Sequence, residues 1–345
     1  MLRLVKRAAL SILAAPGATA PFYPLMRGRA TVFMLHRFRD PERGIEGTDP
    51  ALVRRALGLL RRRRFEFVSV EDLFRRLRAE GPPLRRAVTF TIDDGYADQA
   101  EIGAPVFAEF DCPATVFVTT GFLDGGLWFW WDRIGWVFRQ TRRRRVRVDV
   151  AGERLDLAWE SPERRAVVES DFIARCKTVP DSEKLAAILG LATEADVALP
   201  DVPPPGCAPM TWEHLRDCEG RGMSFGPHTV THPILSQVDD THSRREIVDS
   251  WARLREQARA PVPVFCYPNG GWADFGPREI ATIKGCGLAG AVVGEWGLAD
   301  VRKFGGGDVD AAFRVRRIPF PGDIPNLIQY VSGVELAKLA IRGSL

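Results

Sequence analysis

The sequence predicts an α/β protein built as a closed or nearly closed barrel of parallel strands. Three observations carry this expectation. Short runs rich in β-branched and aromatic residues recur along the chain, segments of helical period lie between most of them, and the reactive polar residues fall just after the strand-like runs.

In chain order, Ala30–Leu35 is the first strand-like run, and the helical segment Asp49–Arg64 follows it with apolar residues three and four apart. Phe67–Val70 leads into the helical segment Val70–Ala79, and Ala87–Ile92 leads into Ala97–Phe110. After Ala114–Thr119 the pattern breaks between Gly125 and Pro209. That stretch holds an aromatic cluster at Trp128–Trp131, an alternating run from Arg143 to Leu157 that suits a hairpin, helical segments and the triple proline Pro203–Pro205. It reads as an insertion at about 125–209, either a covering flap or simple packing, with its aromatics placed in a core ahead of a ligand-stacking role. The alternation then resumes: Met223–Phe225, Val262–Cys266, Ala289–Val293 and Phe313–Ile318 read as strands, and Trp212–Arg221, Arg244–Arg259 and Pro277–Gly285 as helices.

With 345 residues, 46% hydrophobic and 27% charged, the chain can bury a large core and lies outside the range of disordered proteins. The 48 basic residues against 44 acidic ones leave +4, too small an excess to call for a nucleic-acid partner. The runs Arg61–Arg64 and Arg142–Arg145 are read as solvated helix or hairpin faces, with contact to anionic glycan or lipid headgroups as the other reading. The six cysteines are scattered without a CxxC pair, which favours a reducing compartment over a disulfide framework. Residues 1–29 are set apart from the domain at 30–345, because a basic start and an apolar run give them a signal-like or amphipathic character. With Pro21 directly after the cleavage-like Ala18-Thr-Ala20 and a short apolar stretch, an amphipathic helix on the domain or in peripheral membrane contact is expected ahead of a signal peptide. A cytoplasmic or membrane-associated location is therefore favoured over secretion. No stretch reaches the ~18 apolar residues of a membrane span.

Four strand-like runs end in polar residues: Leu35 in His36, Ile92 in Asp93-Asp94-Gly95, Phe225 in the segment reaching His228 and His232, and Cys266 in Tyr267-Pro-Asn-Gly270. The C-terminal ends of strands are the mouth of an α/β barrel, where such folds build their active sites. Two adjacent carboxylates after a buried strand repel each other unless a cation or donor neutralises one, although Asp-Asp-Gly is also a common turn. His228 and His232 stand four residues apart between Pro227 and Pro233, so a turn or very short helix puts both imidazoles on one face. Two imidazoles and a carboxylate form a facial metal site with open positions for water and a substrate oxygen. With Asp94 on the metal, Asp93 is left beside the metal's water as general base, and the Tyr267–Gly270 loop can offer a backbone N–H to an oxyanion.

Thr91-Ile-Asp-Asp-Gly95 resembles the first motif of the polysaccharide deacetylase family, the NodB homology domain of carbohydrate esterase family 4. His228-Thr-Val-Thr-His232 resembles the second motif, and Phe265-Cys-Tyr-Pro-Asn-Gly270 is similar to the third. The resemblance covers most of residues 30–320 outside the insertion. It implies a deformed (β/α)7-8 barrel of the NodB type and removal of N-acetyl groups from hexosamine units of a polysaccharide or glycan precursor, with water on the metal as nucleophile. It implies Asp93 as base, and Asp94, His228 and His232 on a divalent metal, zinc by default with Co2+, Ni2+ or Mn2+ able to fill the same site. Asn269 falls where the family places its oxyanion backbone donor, while Tyr267, Pro268 and Trp131 are the residues expected to meet the sugar.

Two departures stand out. Cys266 occupies the place of an Arg that orients the catalytic Asp, and Arg317 is the expected replacement, with a surface pair as the other reading. The usual acid is a histidine near the C-terminus, and no histidine follows His242. Phe33-Met-Leu-His-Arg37 resembles the MYHRV-type strand end of a subgroup in which an N-terminal His is the acid, which points to His36. Two other functions remain in view: a non-catalytic glycan-binding protein that kept the pocket, and a non-haem iron oxygenase, whose carboxylate usually stands two residues after the first His, where this chain has Val230.

Overall fold

A computed structural model describes residues 17–304 and 308–341 of the chain. The first sixteen residues, with most of the expected amphipathic segment, lie outside the described residues. Among those described, no helix is long and apolar enough to cross a membrane.

The strands are β1 (Arg29–Leu35), β2 (Glu66–Phe67), β3 (Ala87–Asp94), β4 (Ala114–Val118), β5 (Arg145–Val150), β6 (Glu153–Ala158), β7 (Met223–Pro227), β8 (Val264–Cys266), β9 (Gly290–Trp296), β10 (Ala299–Asp300) and β11 (Val315–Pro319). The chain divides into two compact units, one formed by residues 1–124 and 209–345 and the other by Gly125–Ala208.

In the first unit seven strands lie in the order β7-β4-β3-β1-β11-β9-β8, every neighbouring pair parallel. The Val262 N–H donates to the Phe225 carbonyl beyond the β8 edge, so the sheet nearly closes into the deformed barrel read from the sequence. β3 and β4 are buried along their whole length, as parallel strands covered on both faces must be. The helix Pro50–Arg62 turns Leu52, Val53, Ala56, Leu57 and Leu60 onto the sheet, and Asp49 caps it by accepting from the Ala51 N–H. Two expected elements are shorter than read. The strand at Phe67–Val70 keeps two paired residues because Ser69 caps a helix that starts at Val70. The helix expected over Ala97–Phe110 opens with a wider turn at Gln99–Gly103 before its α-helical part at Ala104–Ala108.

The second unit has its own core. β5 and β6 pair as an antiparallel hairpin, and β5 alternates buried Val146, Val148 and Val150 with exposed Arg145, Arg147 and Asp149. The valines pack with Phe138, Phe172, Ile188 and Leu191 from the helices Trp130–Gln140, Pro162–Cys176 and Asp181–Glu194.

Space is tight where β7 meets its neighbours. A methyl group on Gly226 would stand 2.7 Å from the Phe117 ring and 2.8 Å from the Val264 carbonyl oxygen. Gly226→Ala is expected to lower stability by about 1–3 kcal/mol in urea unfolding. Gly285→Ala, at a helix end with nothing within 4 Å, serves as the comparison and should be neutral or stabilising by up to about 1 kcal/mol.

Candidate metal centre and active site

Strand register brings the site together. In β3, Asp93 lies opposite Phe117 and Asp94 opposite Val118 of β4; Val118 in turn lies opposite Pro227 of β7. One residue further along, His228 continues the ladder by donating its N–H to the Val118 carbonyl at 3.0 Å. On the other side of β3, Leu35 pairs with Ile92, which sets His36 beside Asp93. Residues far apart in the chain thus meet at the C-terminal ends of neighbouring strands.

Asp94 Oδ1 lies 3.6 Å from the Nε2 atoms of both His228 and His232, and all three residues are buried. That is too long for a hydrogen bond. It is near the roughly 3.3 Å that separates two ligands sharing a tetrahedral cation at about 2.0–2.1 Å. His228 Nδ1 lies 2.7 Å from the Cys266 carbonyl oxygen, which assigns the proton to Nδ1 and leaves the Nε2 lone pair facing Asp94. Burial, reinforced by the neighbouring His228, pushes the His232 imidazole down to about 3, so it is neutral at physiological pH. Burial alone would raise the Asp94 carboxyl, but the imidazoles of His228, His36 and His232 outweigh it and hold the group below the ordinary range. Burial alone would lower His228, but Cys266, Asp94 and Asp93 outweigh it and hold that imidazole well above its ordinary value. A divalent cation, which takes an ionised carboxylate and neutral imidazole nitrogens, would therefore bind here by displacing the His228 proton. The backbone carrying these side chains is strained: Asp94, Thr229 and His232 have φ of 89°, 67° and 63°, the left-handed region that non-glycine residues adopt at a cost.

Asp93, 2% exposed, is neutralised differently. Arg317 reaches in from β11, 1% exposed, and donates from Nη1 to Asp93 Oδ1 at 2.7 Å. Its remaining donors meet the Thr91 hydroxyl at 3.1 Å, the Val293 carbonyl at 3.0 Å and the Cys266 sulfur at 3.2 Å. This burial overturns the surface-pair reading of Arg317. It also accounts for Cys266: a small side chain there leaves room for a guanidinium delivered from another strand. Burial would raise the Asp93 carboxyl, but Arg317 outweighs it and keeps the group below its ordinary value. Asp93, His228 and Cys266 also lie within ligand distance of one another, yet the guanidinium against Asp93 and Cys266 already fills that cation position.

The other carboxylate oxygen of Asp93 faces the Cys266 sulfur at 3.6 Å and His36 Nε2 at 3.9 Å. The His36 side chain is 47% exposed, so it stands at the mouth between Asp93 and solvent. Gln99, fully buried, braces this corner: its amide donates to the His36 and Asp93 carbonyls and accepts from the Gly95 N–H. Asp98 does the same one step along, accepting from the Phe38 N–H at 2.6 Å and from Arg37 at 2.8 Å.

The third motif needs correction. Tyr267 is buried, with its ring stacked on Phe275 at 3.8 Å between centroids, and Pro268 is buried beside it, so neither offers a face to a sugar. An aromatic in a loop reads alike from sequence whether it packs inward or outward. Asn269 is exposed with φ of 55°, and no hydrogen bond among the described residues uses its backbone N–H. Trp131 belongs to the second unit, where its ring stacks on Phe129 at 4.4 Å. Sequence reading passed over Gln99, the contact role of Cys266, and Glu246, whose carboxylate meets the loop between the two histidines.

Residues 188–282 match the family model described as polysaccharide deacetylase. No curated protein matches the chain. Among solved structures, the fold is similar to the Streptococcus pyogenes deacetylase PplD in complex with acetate, with TM-score 0.57 and 17% identity over 88% of this chain and 98% of that one. It is also similar to IcaB from Ammonifex degensii, with TM-score 0.54 and 15% identity over 89% and 97%. A de-N-acetylase from Aggregatibacter actinomycetemcomitans gives TM-score 0.52 and 14% identity over 86% and 96%.

Removing one partner of the buried ion pair strands the other. Arg317→Ala is expected to cost about 3–5 kcal/mol in urea unfolding at neutral pH. Adding Asp93→Asn should restore part of that loss, and strict additivity in the double-mutant cycle would show that the two side chains do not interact.

Proposed function

We propose that this chain, which matches the polysaccharide deacetylase family over residues 188–282 and shares its barrel with solved deacetylases, removes N-acetyl groups from hexosamine units of a polysaccharide or glycan precursor. The observation that carries the reading is the convergence of Asp94, His228 and His232, with Asp93 held beside them by Arg317.

Asp94, His228 and His232 would hold a divalent cation, with zinc the default and cobalt, nickel or manganese as alternatives. When bound, such a cation lowers the pKa of water and polarises an amide carbonyl. Asp93 then accepts the proton of the attacking water. The Arg317 guanidinium keeps that carboxylate anionic and fixed through one oxygen, leaving the other directed towards His36. A carboxylate with a depressed pKa is a weak base, so its use here depends on water that has itself been made acidic. The Asn269 N–H is the donor assigned to the oxyanion. His36 protonates the departing amine as the C–N bond breaks, giving acetate and a free amino sugar.

The test is acetate release from N-acetylglucosamine oligomers, lipid-linked sugars and peptidoglycan, with and without chelator. Chelation should abolish turnover and added Zn2+ restore it. Asp93→Asn is expected to lower kcat by about 10²–10⁴, with the circular dichroism spectrum unchanged. His228→Ala should abolish metal-dependent turnover, and near wild-type activity in either variant would sink the assignment. For His36→Ala, kcat should fall by about 10²–10⁴; an unchanged kcat would remove His36 from the reaction.

A further inference from the structure

The five residues His228–His232 carry two of the three candidate metal ligands on a backbone bent twice into the left-handed region, at Thr229 and His232. Its polar groups are taken up from two sides. On one side the Thr229 and Val230 carbonyls accept from the Thr120 and Gly121 N–H groups at 3.0 and 2.9 Å, and the Thr119 hydroxyl donates to the His228 carbonyl at 3.2 Å. Gly121 is required by this approach, since a methyl group there would stand 2.6 Å from the Val230 oxygen.

On the other side a single side chain serves the N–H groups. Glu246, in the helix Asp240–Gln257, is 3% exposed; its Oε2 accepts from the Val230 and Thr231 N–H groups, both at 2.8 Å. Its Oε1 accepts from the Thr231 hydroxyl at 2.6 Å and lies 3.3 Å from His242 Nε2. No step of the proposed reaction uses this carboxylate. Burying it is costly unless every lone pair is met, and here the donors are the backbone between the two histidines. Remove it, and two buried N–H groups lose their acceptor while the left-handed turn loses one of its two anchors.

We propose that Glu246 is the positioning residue of the metal site: by clamping Val230 and Thr231 it fixes the spacing and orientation of the His228 and His232 imidazoles. The inference rests on the reading of Asp94, His228 and His232 as a divalent-cation site. It acts through the loop backbone, so its signature is metal affinity.

The experiment titrates Zn2+ into the full chain in competition with a chromophoric chelator. Glu246→Ala is expected to weaken Zn2+ binding by about 10–100-fold. Glu246→Asp, which keeps the charge but falls a methylene short of the loop, should weaken it too. Glu246→Gln should recover most of the loss, because its amide oxygen can accept both N–H groups while its NH2 donates to the Thr231 hydroxyl. Ser250→Ala, a buried position on the same helix bonded only to its own turn at the Ile247 carbonyl, should leave affinity unchanged and so separates general loosening from loss of the clamp. Wild-type affinity in a folded Glu246→Ala overturns the proposal. Should that variant fail to fold, wild-type affinity in Glu246→Asp overturns it instead. A wild-type chain that binds no Zn2+ at all overturns the proposed function itself, a result distinct from either of these.

Discussion

Two carboxylates stand next to each other at the end of a strand that is buried over its whole length, and the architecture around them follows from the need to neutralise both. Asp93 and Asp94 both lie near His228, but their other partners differ, Arg317 and Cys266 for Asp93 and His232 for Asp94. Asp93 meets a guanidinium that the protein supplies permanently. Asp94 faces the imidazoles of His228 and His232, and those three side chains together could hold a divalent cation. The different surroundings of the two carboxylates, a guanidinium for Asp93 and two imidazoles for Asp94, are therefore set by which neighbouring strand ends each one meets.

The parallel sheet makes that division possible. Neighbouring strands run in the same direction, so their C-terminal ends gather side chains from β1, β3, β7 and β11 within a few ångströms. Where the strands end, pairing ends too, and side chains take over as partners for exposed backbone groups. Gln99 does so between β1 and β3, Asp98 does so after β1, and Glu246 does so after β7. Each uses a buried polar group to hold a strand end that carries a reactive side chain, which is the rigidity such a site requires.

How much of this was legible follows from what sequence records. The convergence of Asp94, His228 and His232 could be read because potential ligand types, two of them four residues apart, each follow a strand-like run whose end faces the barrel mouth. The barrel was legible for a similar reason: strands covered on both faces read as continuous apolar runs, and the helices between them keep their period. Gln99 and Glu246 were not legible, because their partners are backbone N–H and C=O groups, which every residue carries and no sequence distinguishes. Tyr267 misled because its ring packs on Phe275, eight residues away, in a contact without periodic signature.

Cys266 and Arg317 show why a departure from a family pattern has to be judged in space. Read alone, a cysteine where the resembled motif carries an arginine suggests that Asp93 has lost an orienting partner. In the folded chain Arg317 from β11 sits 3.2 Å from the Cys266 sulfur and 2.7 Å from Asp93, so the charge is present and only its strand of origin has changed. The two positions constrain each other. An arginine at 266 would compete with Arg317 for one buried carboxylate and leave a second guanidinium without a counter-ion, whereas losing Arg317 with Cys266 in place leaves the carboxylate alone. What must be kept is a single cation against Asp93, and the small side chain at 266 is the space that lets β11 provide it.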